Sequence, residues 1–468
     1  DEIESLARKM ADRRTFLTAA WSLQRGDHGE QPYWMLVTLA AMLGQIGLPG
    51  GGFGFGYSAM NYIGGDFTIL PYSALPQGKN SVSDFIPVAR ITDLLTSPGR
   101  TVEFDGQTLT YPEIKLMYWA GGNPFHHHQD LGRLMKAWRR PDTIIVHEWC
   151  WNSLAKRGDI VLPCTTPLER QDIAMTPRDP YIISMAQLTE PYAQSRNDYE
   201  IFAGIAKELG IFEAFTNGKS DVEWQYKIYE ETRHSAAQMG HELPEYEAFL
   251  KEGWHKINDP TEQTVMLKEF RDDPDRYPLA TPSGKIEIFS QTVSDFGYDD
   301  CPGHPVWREP YEWLGASDQT HPFHLISNQP EAKLHSQIDH GSVSQASKIN
   351  GREALHIHPK DAENFGLKTG DTARVYNDRG SCLAGVWIDK SLRRSVLKMS
   401  TGAWYDPLDP ADPMSLCKHG NPNVLTRDKG TSKLGQGPSA HTCMVGIELF
   451  EGDLPKVTAH APPDIIRS

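Results

Sequence analysis

The sequence has few cysteines and no closely spaced metal-ligand pairs. Its six cysteines stand far apart along 468 residues, and neither a C-x₂-C nor an H-E-x-x-H pattern occurs. This argues against a disulfide-rich scaffold, an iron–sulfur cluster and the common zinc motifs.

Long apolar runs and an excess of positive charge are also missing. The most apolar stretch, MLVTLAAMLGQIGLPGGGFG from Met35, is interrupted by Gly44, Gly47 and Pro49, whereas a membrane-spanning helix needs about 18–20 apolar residues. The net charge is −15, and neutralising nucleic-acid phosphates requires a basic surface. We therefore predict no membrane span and no nucleic-acid partner.

The order of apolar runs predicts two kinds of domain, and the length allows two to four domains in all. IKLMYWAGGNP from Ile114, LGRLMKAWRR from Leu131 and DTIIVHEWCW from Asp142 read as strand, helix and strand. This alternation predicts an α/β fold with a parallel, doubly wound sheet. From about His321, short β segments separated by turns, such as TARVYNDRGSCLAGVWID, predict a β-barrel domain that follows it.

The predicted strand ends carry residues that suit a nucleotide. GGNP follows the strand from Ile114, so Gly122 and Asn123 would lie where glycines admit a phosphate or sugar. Glu148 ends the next strand, as a ribose-binding carboxylate does. A tight turn is the alternative for GGNP alone.

Two further positions extend this prediction. Arg170 follows a third strand, and Asp198 opens the helix NDYEIFAGIAKELGIF, where its carboxylate can accept hydrogen bonds from a guanine edge. A nucleotide with its phosphates near His126 and Arg170 and its base near Asp198 would use all of these positions.

GGNPFHHHQD contains three consecutive histidines, His126 to His128. Histidine is a common metal ligand, but consecutive residues of a helix or strand do not share a face. A loop with solvated imidazoles is the alternative to a metal site.

The β-rich end has polar segments of its own. They are SNQPEAKLHSQID (327–339), TGAWYDP (401–407) and GNPNVLTRDKGTSKLGQGPSAHT (420–442). Their amides, hydroxyls and imidazoles can hydrogen-bond a large neutral heterocycle. Each segment alone could also be an ordinary polar loop.

Seven motifs occur in one order along the chain. They are WSLQRGDHGEQPYW, LGQIGLPGGGFGFGY, GGNPFHHHQDL, GDIVLPCTTPLERQDI, RNDYEIF, LHSQID and GNPNVLTRDKGTS. Together they resemble the molybdopterin oxidoreductases of the dimethyl sulfoxide reductase family, in the branch of biotin sulfoxide reductase and trimethylamine-N-oxide reductase. The resemblance runs from about Thr15 to the end of the chain and is weakest across 57–115 and 218–280.

This resemblance implies a molybdenum cofactor held by two molybdopterin guanine dinucleotides. Trp21 and Arg25 resemble residues that line the substrate funnel and the pterin, so we expect both to act in catalysis, and we expect Trp404 to line the funnel as well. His126 to His128 are then expected beside a nucleotide rather than on a metal. The cofactor-binding residues expected from the resemblance and from the strand ends are Trp21, Arg25, Gly122, Asn123, His126, Glu148, Arg170, Asp198, Gln329, His335, Ser336, Asn423 and Gln436.

The resemblance also implies a domain order. Residues 1–70 would end a molybdopterin-binding α/β domain, 71–315 would form an α/β nucleotide-binding domain, and 316–468 would form a β-barrel that binds the molybdopterin dinucleotide. The family's protein ligand to molybdenum, a serine in this branch, precedes WSLQR, and its motif is not found here. We therefore assign no metal ligand, and we expect this chain to be the carboxyl-terminal portion of a longer enzyme.

The implied reaction is the two-electron reduction of an S-oxide or N-oxide, such as biotin sulfoxide, dimethyl sulfoxide or trimethylamine N-oxide. Arg25 would stabilise the polar bond to oxygen, and a cytochrome or reductase that the sequence does not identify would donate electrons. The alternatives are a catalytically inert fragment and a guanine-nucleotide-binding module. Relatives occur in the bacterial periplasm and in the cytoplasm, and we favour the periplasm.

Overall fold

The computed structural model describes residues 1–57, 60–61, 63–257, 261–316, 320–464 and 466. Six positions of the predicted last domain, 317–319, 465, 467 and 468, lie outside the described residues. In the described part, no helix is both long and apolar enough to cross a membrane.

The α-helices are short, and many begin at a capping side chain. They are α1 (Glu2–Ala11), α2 (Gln31–Met42), α3 (Ile91–Thr96), α4 (Pro124–His127), α5 (Leu131–Ala137), α6 (Asp198–Glu208), α7 (Phe212–Thr216), α8 (Asp221–Gln238), α9 (Tyr246–Glu252), α10 (Lys268–Asp272), α11 (Gln291–Asp295), α12 (Ser342–Ala346) and α13 (Pro359–Asn364). Turns of 3₁₀ helix occupy Trp21–Arg25, Val88–Arg90, Ala155–Arg157, Pro167–Glu169, Leu314–Ala316 and Pro422–Val424.

Sixteen strands are distributed along the described chain, and the last six form the barrel. They are β1 (Phe16–Leu17), β2 (Gly52–Phe53), β3 (Thr101–Phe104), β4 (Gln107–Thr110), β5 (Leu116–Ala120), β6 (Thr143–Glu148), β7 (Ile160–Pro163), β8 (Asp172–Met175), β9 (Tyr181–Met185), β10 (Trp254–Lys256), β11 (Phe323–Ile326), β12 (Ala354–Ile357), β13 (Thr372–Asn377), β14 (Gly380–Ile388), β15 (Val396–Met399) and β16 (Met444–Leu449).

The chain folds into two compact units, each built from several segments. The first unit comprises residues 1–19, 36–83 and 162–287, and the second comprises 20–35, 84–161 and 288–468. The domain boundaries expected from the sequence, 1–70, 71–315 and 316–468, stay a prediction.

The predicted α/β alternation is confirmed. Strands β5 and β6 pair in parallel, with Leu116 opposite Thr143, and helix α5 connects them. Together with β7 they form a three-stranded sheet in the order β5–β6–β7. A parallel pair requires such a crossover, because the chain must return to the same edge before the next strand begins.

The predicted barrel is confirmed as well. It closes in the order β11–β15–β12–β14–β13–β16. The hairpin of β13 and β14 turns at Asp378 and Arg379, with Asn377 opposite Gly380, as the turn residues of the sequence indicate. Closure leaves no open edge in this sheet, so its backbone donors and acceptors are paired within it.

Each unit has its own hydrophobic core. In the second unit the barrel interior and the β5–β6 layer share one cluster, which includes Leu355, Val375, Phe125 and Leu134. In the first unit a smaller cluster forms around Tyr229, and helices α8 and α9 contribute to it.

Two local segments differ from what their residue patterns indicate. Glycine-rich runs disfavour regular structure, yet Gly52 and Phe53 of the stretch 50–56 pair in parallel with Phe16 and Leu17. The segment TPSGKIEIFSQ from Thr281 has the pattern of a turn followed by an exposed strand, yet it forms no strand. There, Thr281 Oγ1 donates to the carbonyl of Lys285 at 2.6 Å, a side-chain bond that favours a turn over a ladder.

The barrel interior should dominate the stability of the second unit. Leu355 is fully buried on β12, whereas Leu449 on β16 is 40% exposed. We expect Leu355→Ala to lower the free energy of unfolding by about 2–5 kcal/mol, because it removes buried methyl groups and leaves a cavity. The control Leu449→Ala should cost less than about 1 kcal/mol. Denaturant unfolding measures both, and equal losses would contradict this assignment of the interior.

Candidate functional site

The turn after β5 has an open backbone and an unused amide donor. Gly121 and Gly122 have φ angles of +89° and +76°, a region that favours glycine. A Cβ atom on Gly121 would meet no atom within 4 Å, so the space beside the turn is open. Asn123 caps α4 by accepting from the Phe125 amide at 3.1 Å. Its Nδ2 is buried without a hydrogen-bond partner among the described residues, and it can donate to a ligand.

His126, the first of the three consecutive histidines, belongs to a buried ring stack. Its imidazole lies against Trp404, with centroids 5.6 Å apart and planes 14° from parallel. Its Nε2 lies 3.2 Å from Ser153 Oγ. Burial lowers the pKa of His126 well below its ordinary value, so the ring is neutral at pH 7. His128 contacts a different region, with Nε2 2.9 Å from Thr92 Oγ1.

His127, the histidine between them, belongs to a second group, the imidazole–guanidinium group (Arg25, His127, His335 and His441). The rings of His127 and His335 have centroids 5.4 Å apart, and the His441 amide donates to the Arg25 carbonyl at 2.8 Å. Within the described part of the chain, no side chain hydrogen-bonds or ion-pairs with the Arg25 guanidinium. The group therefore presents a cation without a partner of opposite charge among the described residues.

Electrostatics keep two of these imidazoles neutral. Desolvation, followed by the charges of His335 and Arg25, lowers the pKa of His127 to about 4. Desolvation and the charge of Arg25 likewise lower the pKa of His441 to about 4. The Nδ1 atom of His335 is buried and has no partner among the described side chains. Neutral imidazoles offer one donor and one acceptor each, which suits the edge of a heterocycle.

The loop at 401–404 positions His335 and Ser336. A Cβ atom on Gly402 would lie 2.0 Å from the His335 carbonyl oxygen, and Gly402 has a φ of +95°, so only glycine fits this approach. The indole of Trp404 donates to the Ser336 carbonyl at 2.8 Å. Trp404 is 4% exposed and packs inside the second unit, and its expected place in the substrate funnel stays a prediction.

Two buried carboxamides hold the turn that carries the histidines. Asn421 Nδ2 donates to the Phe125 carbonyl, and Asn423 Nδ2 donates to the His126 carbonyl, both at 3.0 Å. Thr426 Oγ1 donates to Asn423 Oδ1 at 3.1 Å. We call this arrangement the carboxamide clamp (Asn421 and Asn423). Both ends of the Asn423 side chain are used within the protein, and its expected contact with the cofactor stays a prediction.

Other expected site residues lie apart from these groups or are already paired. Gln436 Nε2 donates to the Glu103 carbonyl at 2.7 Å. Glu148 accepts from the Asn152 side chain at 2.5 Å, and burial raises its pKa. Gln329 is exposed. Trp21 is 39% exposed and lies on the same 3₁₀ turn as Arg25.

The first unit brings Arg170 close to the start of α6. Arg170 Nη1 donates to the Thr165 carbonyl at 3.0 Å, and Thr165 Oγ1 donates to Asn197 Oδ1 at 2.8 Å. Asn197 caps α6 through a capping box with Glu200, and Asp198 is the first helical residue. The predicted cap is confirmed, while the guanine and phosphate roles of Asp198 and Arg170 stay predictions.

Asn421, His441 and Ser153 are contacts of the site that were not predicted individually, although Asn421 and His441 lie in the polar segment 420–442. The repeated asparagine in GNPN was the one available signal for the clamp, because buried asparagines need fixed partners. Nothing in the pattern of the segment 420–442 distinguishes His441 from its polar neighbours, and Ser153 lies outside the predicted segments, so only the tertiary contacts reveal them.

We expect Asn421→Ala to destabilise the second unit by about 1–3 kcal/mol, because the buried Phe125 carbonyl would lose its donor. Asn328 makes a similar amide bond, at 2.8 Å to the Gln329 carbonyl, but in an exposed position. The control Asn328→Ala should therefore cost less than about 1 kcal/mol. Unfolding in denaturant compares the two, and a smaller loss for Asn421→Ala would contradict the clamp.

The low pKa of His441 gives stability a defined pH dependence. Between about pH 6.5 and 4 the unfolded chain binds a proton at this position and the folded chain does not. The contribution of this histidine to the free energy of unfolding is therefore fully present above pH 6.5 and is lost as the pH falls through this window. We expect His441→Gln to reduce the proton uptake on unfolding by up to about one proton, as measured from melting temperatures across the window. The exposed control His304→Gln should leave the pH dependence of the melting temperature unchanged.

Two family models of known proteins match separate parts of the chain. Residues 5–208 match the family model of the molybdopterin oxidoreductases, and residues 323–444 match the molydopterin dinucleotide binding domain. The second match covers most of the closed barrel.

Several curated relatives match nearly the whole chain. Biotin sulfoxide reductase of Cereibacter sphaeroides is 45% identical over 97% of this chain and 60% of its own length. Trimethylamine-N-oxide reductase of Haemophilus influenzae is 43% identical over 99% of this chain and 58% of its own. Dimethyl sulfoxide/trimethylamine N-oxide reductase of Rhodobacter capsulatus is 41% identical over the same shares. The chain therefore spans somewhat over half the length of these relatives.

A solved structure supports the fold. Acetylene hydratase from Pelobacter acetylenicus superposes on this chain with a TM-score of 0.57 at 18% identity. The superposition covers 77% of this chain and 46% of the hydratase chain. At this identity the likeness concerns the fold alone. From the two family models and the extent of the sequence identity, we conclude that this chain belongs to the molybdopterin oxidoreductase family.

Proposed function

We propose that this chain contributes the cofactor-binding and substrate-side residues of a molybdenum-dependent reductase of S-oxides or N-oxides. The observation that carries this proposal is the 40–45% identity to reductases named for biotin sulfoxide, trimethylamine N-oxide and dimethyl sulfoxide. Because the chain spans 56–60% of the length of these relatives, the activity is proposed for the whole protein.

The proposed cofactor is bis(molybdopterin guanine dinucleotide) molybdenum, and the second unit has features that fit such a group. It offers the open Gly121–Gly122 turn, the unused Asn123 amide, and the unpaired His335 Nδ1. These supply space and donors for phosphates and a pterin edge. When bound, the cofactor supplies the molybdenum and the dithiolene sulfurs through which two electrons reach the oxide.

In this proposal Arg25 binds the oxygen of the substrate. Its guanidinium stays protonated despite burial, and no described side chain neutralises it. A cation at this position stabilises negative charge that develops on the oxygen. The neutral rings of His127 and His441 add no competing charge, and Trp21 presents an aromatic surface on the same turn.

A guanine-nucleotide-binding module without pterin was the alternative, and the dinucleotide-binding match over 323–444 favours the complete cofactor. Acid hydrolysis of the complete protein, isolated with its cofactor, distinguishes the two. We expect two GMP per molybdenum. Guanine nucleotide without molybdenum would contradict the proposal and support the module.

We expect Arg25→Met in the complete protein to lower kcat/KM for the oxide by about 100-fold, the usual effect of removing one electrostatic donor to a developing negative charge. Molybdenum and GMP content should not change. Arg25→Lys should retain part of the activity, because it keeps the charge but not the forked geometry. The exposed Arg393→Met is the matched control. Unchanged kcat/KM in Arg25→Met, or loss of molybdenum, would exclude the proposed role.

The proposed electron donor is a cytochrome or a reductase, and the proposed compartment is the bacterial periplasm. Both rest on the family resemblance alone. Fractionation of the source cells, with activity measured in each fraction, tests the compartment, and activity confined to the cytoplasmic fraction would overturn it.

A further inference from the structure

A buried cluster in the second unit brings three ligand-type side chains together outside the imidazole–guanidinium group. Asp339 follows the LHSQ motif, His419 precedes the carboxamide clamp, and His460 lies beyond the last barrel strand. Their nearest ligand atoms all lie within 4.8 Å of one another. The Oδ2 atom of Asp339 lies 3.0 Å from His460 Nε2 and 3.7 Å from His419 Nε2.

The orientation of His419 fixes which of its nitrogens carries the proton. Its Nδ1 lies 3.0 Å from the carbonyl oxygen of Trp404, which can only accept, so Nδ1 must donate. Nε2 therefore carries a lone pair, directed toward the cluster. A backbone carbonyl that fixes the second ring nitrogen in this way is the usual support of a metal-binding histidine.

His419 Nε2 is a buried polar atom that lacks a partner. The residue is fully buried, and Nε2 has no hydrogen bond within the described part of the chain. A lone pair that faces a carboxylate oxygen without a proton between them is unfavourable, and a cation between the two atoms removes this conflict.

We propose that Asp339, His419 and His460 form a binding site for a divalent zinc ion. Imidazole nitrogens and a carboxylate oxygen are ordinary zinc ligands, and a tetrahedral site places neighbouring ligand atoms about 3.4 Å apart. The distances from Asp339 Oδ2 to His460 Nε2 and to His419 Nε2, 3.0 and 3.7 Å, lie on either side of this value. Zinc would replace the proton that His460 Nε2 shares with Asp339. That proton would pass to Nδ1 of His460 or to solvent. A water molecule would complete the four ligands.

Two neighbouring lysines limit the affinity of the site. Lys333 and Lys348 form ion pairs with the other oxygen of Asp339, Oδ1, at 3.1 and 3.0 Å, and both donate hydrogen bonds to Glu353 Oε2. The two ammonium groups and two carboxylates balance one another, so a bound dication adds net charge to a buried region. Because Oδ2 lies on the other side of the carboxylate, the oxygen that would bind zinc is not occupied by a lysine. We therefore expect the dissociation constant for zinc to be micromolar rather than nanomolar.

Such a site would tie the carboxyl-terminal segment to the loops that carry the candidate cofactor residues. His460 follows Thr458 and Ala459, whose backbone carbonyls accept from Lys156 at 3.3 and 2.8 Å. His460 is the most accessible of the three ligands, with its side chain 24% exposed, so an ion can enter from its side. The proposal concerns these three residues alone and holds whether or not the reductase function does.

Cobalt titration of the metal-stripped protein tests the site, because Co²⁺ replaces zinc and gives visible absorption that reports its ligands. We expect one saturable Co²⁺ site per chain, displaced by Zn²⁺, and a higher melting temperature with either ion. Molybdenum content is measured separately on the same sample. Absence of saturable binding by the unmodified protein would overturn the proposal.

The variant His460→Gln separates a metal ligand from a structural hydrogen bond. Glutamine can still donate to Asp339 but binds zinc poorly, so folding should persist while the ion binds at least about 100-fold more weakly, since even supporting groups change affinity by 10–100-fold. The exposed neighbour His340, whose ring centroid lies 6.1 Å from that of His460, gives the matched control His340→Gln. Unchanged binding in His460→Gln, or an equal loss in His340→Gln, would exclude this site.

Discussion

The arrangement of the second unit depends on two side-chain amides that satisfy two backbone carbonyls. Asn421 and Asn423 donate to the carbonyls of Phe125 and His126, which lie in the short helix α4 that follows the Gly121–Gly122 turn. A buried carbonyl without a donor costs about 1–3 kcal/mol, so these contacts fix the turn in one position. The open glycines and the free Asn123 amide keep their orientation for the same reason.

Burial also decides which groups in this unit carry charge. The imidazoles of His126, His127, His419 and His441 have lowered pKa values and are neutral at pH 7. The guanidinium of Arg25 keeps its charge, because no accessible pH deprotonates it. In the imidazole–guanidinium group, the charge of Arg25 stands beside the neutral rings of His127 and His441, whereas charged rings there would repel one another and Arg25.

Much of the fold and the family could be predicted from residue order. Alternating apolar runs around Ile114 and Asp142 predicted the parallel pair, and short β segments with a turn at Asp378 predicted the barrel. The apolar period and the turn residues of each segment record its secondary structure, although the strand pairs that close the barrel, such as Phe323 with Val445, join distant segments. The segment after Thr281 has a strand-like pattern, but a local side-chain bond stabilises a turn there instead.

Residue order by itself determined the family, the two kinds of fold and several positions of the candidate site, such as Asn123, Arg25 and His335. Only the tertiary structure decided that His126, His127 and His128 contact separate neighbours, that Trp404 is buried, and that Asp339, His419 and His460 meet. The reason is physical: these contacts join segments distant along the chain, and no local pattern encodes which buried polar atoms will become partners.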